Sequence, residues 1–285
     1  MFDPFRPDLL QGKTTIITGG GTGLGRSMAL RMAGLGAKVA VLGRRPDPLA
    51  ETVKAIREAG GTAVGVPADV RDPASVKSAF DAVEKELGPA NQLINNAAGN
   101  VLAASEELSA NAFNSVVQIV LYGNFHCTTE LGRRLIERKQ GGEVLAITTT
   151  YAETGSAFVL PSACAKAGVL ALIRSLAVEW AVYGIRLNAI APGPFPTEGA
   201  FSRLMPGSEM EKQARRRIPS KRFGEHWELT NLVAYVMSDA SPYQTGAQVA
   251  IDGAEALFSG QQFAGFAHLD RATAKEMLAS LKPRK

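Results

Sequence analysis

The stretch Thr14-Thr-Ile-Ile-Thr18 runs directly into Gly19-Gly-Gly-Thr-Gly23-Leu-Gly25, and a helical pattern follows. Glycines in this setting let a backbone turn sharply and approach a pyrophosphate, whose charge then rests on the helix N-terminus. A bound dinucleotide is therefore the first expectation, cradled by Gly19, Gly21, Thr22, Gly23 and Leu24. A helix-entry turn without a ligand is the plainer alternative. The second apolar run ends in Val41-Leu42-Gly43-Arg44-Arg45. A dinucleotide with a free ribose 2′-hydroxyl wants a carboxylate there, about twenty residues past the glycines. Two arginines stand in its place, and a guanidinium suits a 2′-phosphate through bidentate, charge-assisted bonds. NADPH rather than NADH is the expected cofactor, with Arg44 better placed than Arg45. A solvent-facing arginine pair is the alternative.

Other chemistries find little material. The two cysteines, Cys127 and Cys164, cannot build a disulfide framework. Both lie in apolar stretches and read as buried free thiols. The histidines, His126, His226 and His268, are far apart and show no ligand spacing, so no metal is expected. A net charge of +4 with scattered basic residues speaks against a nucleic-acid surface. The first eight residues hold no signal core, and no apolar run approaches the length of a membrane span. A cytoplasmic protein is the default expectation, although a mature organellar one would read the same.

Placing these groups falls to an alternation of short β-branched runs and longer amphipathic stretches. Strands are expected at 14–18, 38–42, 63–66, 93–95, 144–148, 186–190 and 248–251. Helices are expected at 23–35, 49–59, 74–87, 111–138, 162–183 and 227–238. Strict alternation implies right-handed crossovers and a mostly parallel sheet covered on both faces. The expectation is a single α/β domain of Rossmann type over residues 1–285, with its core at about 12–253. The segment 197–222 interrupts the pattern after a strand's C-terminal end, where ligands bind in such sheets, and reads as a substrate-covering loop, with a passive surface excursion as the alternative. The tail 254–285 holds one weak helical pattern, 272–281, and a basic end read as solvated.

Three further motifs carry a family resemblance: Asn95-Asn-Ala-Ala-Gly99, Pro192-Gly193 and the spacing of Gly19, Gly23 and Gly25. Together they resemble the short-chain dehydrogenase/reductase family over about 12–253. The resemblance implies that Asp69 faces the adenine, that Asn95 steadies the central strand, and that Pro192, Gly193, Pro194 and Phe195 lie along the nicotinamide. A homotetramer is implied as well. The family's usual tyrosine, four residues before a lysine, is absent: Lys166 is present, but Ser162 precedes it. The usual serine position holds Thr149, and the usual helix asparagine position holds Val120.

These departures are shared with one branch. Thr148-Thr-Thr-Tyr151-Ala-Glu-Thr-Gly155, Pro161-Ser-Ala-Cys-Ala-Lys166, Gly199-Ala-Phe-Ser-Arg203 and Asn95-Asn-Ala-Ala-Gly-Asn100 resemble the 2,4-dienoyl-CoA reductases. By that resemblance the working tyrosine is Tyr151, paired with Lys166. Asn100 joins it in holding a thioester carbonyl, and Ser162 assists. Substrate contacts carry over to Arg71, Val101, Ser109, Tyr151 and Arg203, and an acyl-CoA becomes the expected partner. A surface tyrosine, a turn asparagine, an N-cap serine and solvated arginines are the bland readings of the same residues.

The relocated tyrosine has a chemical rationale. Carbonyl reduction places hydride on the carbon bonded to the oxygen that takes the proton, so the acid sits beside the nicotinamide. Reduction of a conjugated dienoyl thioester adds hydride at the δ carbon while charge appears on an oxygen several bonds away. The donor that meets this oxyanion has to be displaced from the nicotinamide. A carbonyl or 3-oxoacyl thioester reductase of the same fold, and an inactive NADPH-binding sensor, remain as rival readings.

Overall fold

β1 (Thr14–Thr18) is buried at all positions, as a β-branched run requires when sheet neighbours flank it and helices cover both faces. The computed structural model describes residues 3–197, 208–258, 269–270, 272–273 and 276–277, without the side chains of 208–210. The further strands are β2 (Lys38–Gly43), β3 (Thr62–Pro67), β4 (Gln92–Asn95), β5 (Gly142–Ile147), β6 (Ile185–Pro192) and β7 (Gln248–Ile251). All pair in parallel in the order β3-β2-β1-β4-β5-β6-β7. Strand order reverses between β1 and β4, which opens a crevice at their C-terminal ends.

The helices divide between the two faces. α1 (Gly23–Gly34) and α2 (Pro46–Glu58) bury Met28, Met32, Leu49 and Ile56 against one face. α3 (Pro73–Leu87) buries Phe80 and Val83 against the other. The stretch expected as one helix over 111–138 comprises α4 (Ala110–Val117), a π-helical turn (Gln118–Tyr122) and α5 (Gly123–Arg138). A single wide turn leaves the apolar period nearly intact, which is why the pattern read as continuous.

α6 (Leu160–Glu179) starts two residues before the expected Ser162. It is the one described helix long and apolar enough to cross a membrane by composition, which amends the expectation that no run approaches that length. Half of that window is buried against the sheet and its neighbours. The segment 197–222 is not loop throughout: α7 (Ser208–Arg217) forms within it, and buried Ile218 and Phe223 anchor its end. α8 (His226–Met237) opens with a capping box between Glu225 and Glu228 and packs on α1. The short α9 (Glu255–Phe258) follows β7. The weak pattern at 272–281 lies largely outside the described residues.

Cys127 is buried, and burial pushes its thiol up to about 12, so it is inert at neutral pH. Cys164, expected to be buried, is exposed on the outer side of α6. It follows buried Ala163 and precedes buried Ala165, and the helical rotation turns it away from the core.

Candidate active site

The glycine run occupies the bend between β1 and α1. Gly19 sits at φ 64°, a left-handed conformation natural to glycine. At Gly25 a Cβ would lie 2.1 Å from the Gly19 carbonyl oxygen, so no larger residue fits this turn. A cleft of about 580 Å³ opens above the bend, lined by Gly21, Thr22, Arg44, Asp69 and Asn96 among others. Donors, shape and charge there suit a dinucleotide: a glycine cradle, a helix N-terminus, and cationic and anionic side chains at the far end.

At that end Asp69 and Arg71 form a bidentate ion pair, with Nε–Oδ1 at 2.9 Å and Nη2–Oδ2 at 2.5 Å. The Arg71 hydrogen bonds, aided by the nearby charge of Arg44, hold the Asp69 carboxyl below its ordinary range. Arg71, assigned by resemblance to the substrate, is thus placed beside the adenine-side carboxylate. Arg44 is exposed at the cleft and makes no hydrogen bond with the described residues, so its guanidinium is available to an anion.

Sequence reasoning gave Asn95 the task of steadying the central strand, and its amide bonds Thr128 of α5 at 2.8 Å. The neighbouring Asn96 was passed over. Its Nδ2 donates to the carbonyls of Thr18 and Gly19, at 3.0 and 3.2 Å, and its backbone N–H donates to Thr18 Oγ1. Asn96 therefore binds the β4 end to the glycine bend. The doubled asparagine was the available signal, since one residue of the pair faces each way from the strand end.

The other half of the candidate site forms where β5 ends. A 3-10 turn, Thr150–Ala152, lifts Tyr151 over the start of α6. Its phenol oxygen lies 3.2 Å from Ser162 Oγ. Pro161 occupies the first turn of α6, where its missing N–H costs nothing, and Val159 is the N-cap. Ser162 is accordingly no cap; it is 4% exposed, one helical turn before Lys166 on the same inner face. Lys166 reaches down to donate a short hydrogen bond to the Ile147 carbonyl, and burial lowers its ammonium to about 8. Thr149 Oγ1, nearby in sequence, is shielded from solvent with no partner among the described residues. Val120 is buried in the π-helical turn, and its carbonyl accepts from Asn124 Nδ2 at 2.6 Å.

Asn100 is exposed in the loop after β4 and makes no hydrogen bond with the described residues. That loop meets the one after β5 through the bond from Ala103 N–H to the Phe158 carbonyl, 3.0 Å. Val101 packs on the core, and Ser109 caps α4 by accepting from Ala112 N–H at 3.1 Å. Pro192 ends β6 and Gly193 to Phe195 follow it, with Phe195 partly buried on the α1–α8 side. Arg203 lies outside the described residues. The arginines of 215–217 are exposed, and Arg222 pairs with Glu228 at 2.6 Å, in keeping with a solvated face.

A family model described as enoyl-(acyl carrier protein) reductase matches residues 19–254. An uncharacterized oxidoreductase of Caenorhabditis elegans is 48% identical over 267 residues, spanning 92% of this chain and 85% of the relative. A probable 2,4-dienoyl-CoA reductase of the same organism is 41% identical over 268 residues, spanning 92% and 87%. Among solved structures, a short chain dehydrogenase from Bacillus anthracis superposes with a TM-score of 0.82 at 38% identity, covering 90% of this chain and 99% of the other. A putative 2-deoxy-d-gluconate 3-dehydrogenase from Agrobacterium tumefaciens, solved with bound NADP, gives 0.81 at 32%, covering 88% and 99%.

Proposed function

The chain belongs to the short-chain dehydrogenase/reductase family, and from that premise we propose that it is an NADPH-dependent 2,4-dienoyl-CoA reductase serving the oxidation of unsaturated fatty acids. The observation that carries this reading is the Tyr151–Ser162 contact at 3.2 Å. The phenol comes from the loop after β5, while the helix position one turn before Lys166 offers only a hydroxyl. Relatives named as 2,4-dienoyl-CoA reductases support the same substrate class.

The glycine cradle, Asp69 and Pro192 to Phe195 would hold the cofactor, and Arg44 would meet its 2′-phosphate. When bound, NADPH supplies the hydride. Tyr151 and Asn100 would donate hydrogen bonds to the thioester oxygen as it gains charge, and donors aimed at developing charge often contribute most to rate. Ser162 fixes the phenol's orientation through the bond already in place. Lys166 would hold the nicotinamide ribose, and its buried ammonium would favour negative charge beside it. Arg71, Val101, Ser109 and Arg203 complete the substrate contacts, and a homotetramer completes the proposal.

A screen of cofactor consumption across 2,4-dienoyl, 2-enoyl and 3-oxoacyl thioesters tests the reading. Preference for the dienoyl substrate with NADPH is expected. Preference for a 3-oxoacyl substrate would replace it with carbonyl reduction.

A further inference from the structure

We infer that His226 is a positioning residue that joins the segment Pro192–Thr197 to the first helix of the dinucleotide cradle, so that both walls of the site are set together. Its thioester arm rests on the reductase reading; its cofactor arm does not. Pro192 ends β6, and prolines at 194 and 196 remove alternate N–H donors beyond it, so the chain there cannot extend the strand ladder. Its half-buried carbonyls need donors from elsewhere. The Pro194 carbonyl accepts from Gly224 N–H at 3.1 Å. The Pro196 carbonyl is 2.7 Å from His226 Nε2.

A carbonyl only accepts, so Nε2 carries the proton. In the neutral ring Nδ1 then accepts from the Ser27 hydroxyl, 2.7 Å away, the shorter of that hydroxyl's two contacts, the other being the Gly23 carbonyl at 3.3 Å. Ser27 lies in α1, one turn after Gly23, the residue at which α1 leaves the glycine bend. A Cβ at Gly23 would meet the Thr197 side chain at 3.3 Å, so the two walls also touch directly there. The imidazole thus spans from the cradle helix to Pro196, the residue that follows the segment 192–195 expected along the nicotinamide. Neither partner is near His226 in sequence, and the ring is held at both nitrogens.

His226→Leu, His226→Gln and Ser27→Ala test this. Glutamine retains an N–H donor and an oxygen acceptor; leucine retains neither. NADPH affinity is read from cofactor fluorescence, well below each variant's thermal midpoint, and KM and kcat are read with a dienoyl thioester. His226→Leu is expected to weaken NADPH by about threefold to tenfold, the ordinary worth of a partly buried neutral hydrogen bond. The thioester KM should rise by a similar factor while kcat changes less than about twofold. His226→Gln should stay within about twofold of the parent on each measure, less than the loss of one such bond. Ser27→Ala should reproduce the cofactor loss and add nothing to His226→Leu. Parental affinity in His226→Leu, damage in His226→Gln equal to that in leucine, or additive losses would overturn the inference. If His226→Leu does not fold, parental affinity in Ser27→Ala overturns it instead. Dienoyl inactivity in every protein with the affinity pattern intact would remove the reductase reading and leave this inference standing.

Discussion

Tyr151 holds its phenol 3.2 Å from a buried serine hydroxyl, and a donor so placed cannot be replaced by Ser162 alone. Loss of one oxyanion donor costs about 10²–10³ in turnover. Tyr151→Phe should lose at least that much while binding NADPH normally, and Ser162→Ala should lose less. Steady-state kinetics with cofactor titration check both, and near-parental turnover by Tyr151→Phe would remove it from the mechanism. Lys166 gives a second prediction. Its folded value of about 8 lies below the ordinary 10.5 because burial disfavours the charge. Between those values the unfolded chain binds the proton more tightly, so unfolding free energy rises with pH across the window. Denaturant unfolding at pH ~7.5 and ~10 should show the parent gaining stability relative to Lys166→Met. A pH-independent difference would contradict the assignment. At this scale the resemblance pointed to Tyr151, Ser162 and Lys166, and the structure brings the first two into contact. The sequence was silent on His226 and Asn96, whose partners lie far along the chain or across a strand end.

The elements that carry these residues were legible wherever one period ran undisturbed. All seven strands fall within two residues of their expected bounds at either end, because β-branched runs in a parallel sheet are apolar on both faces. Two of the features that escaped show why. The π-helical turn Gln118–Tyr122 leaves no mark on a 3.6-residue pattern, and α7 is charged along its length and offers no apolar stripe to find. The glycine bend invites a test at this scale. Gly25→Ala would drive a methyl group against the Gly19 carbonyl, which is backbone and cannot swing aside. A folded but cofactor-free protein is expected, with circular dichroism near the parent's and NADPH fluorescence unchanged on mixing. Tight NADPH binding by Gly25→Ala would show that the bend is not the cradle.

The whole molecule presents one sheet, two helical layers and a crevice at its topological switch point. The outer side of α6 and the turn after it leave Val178 and Val182 each 82% exposed, apolar surface that the proposed homotetramer would cover. Light scattering should give a mass four times that of the chain, and a monomer would remove this part of the proposal. The fold could be read from the alternation of strand and helix and the family from a motif resemblance, whereas the proposed reaction depends on where one phenol would sit relative to the nicotinamide. The direct measurement is to incubate the protein with NADPH and a 2,4-dienoyl-CoA, follow the conjugated absorbance, and identify the product by mass and NMR. The account predicts loss of conjugation in step with NADPH oxidation, one for one, giving an enoyl thioester and no alcohol. Unchanged conjugation, or an alcohol as the product, would contradict it.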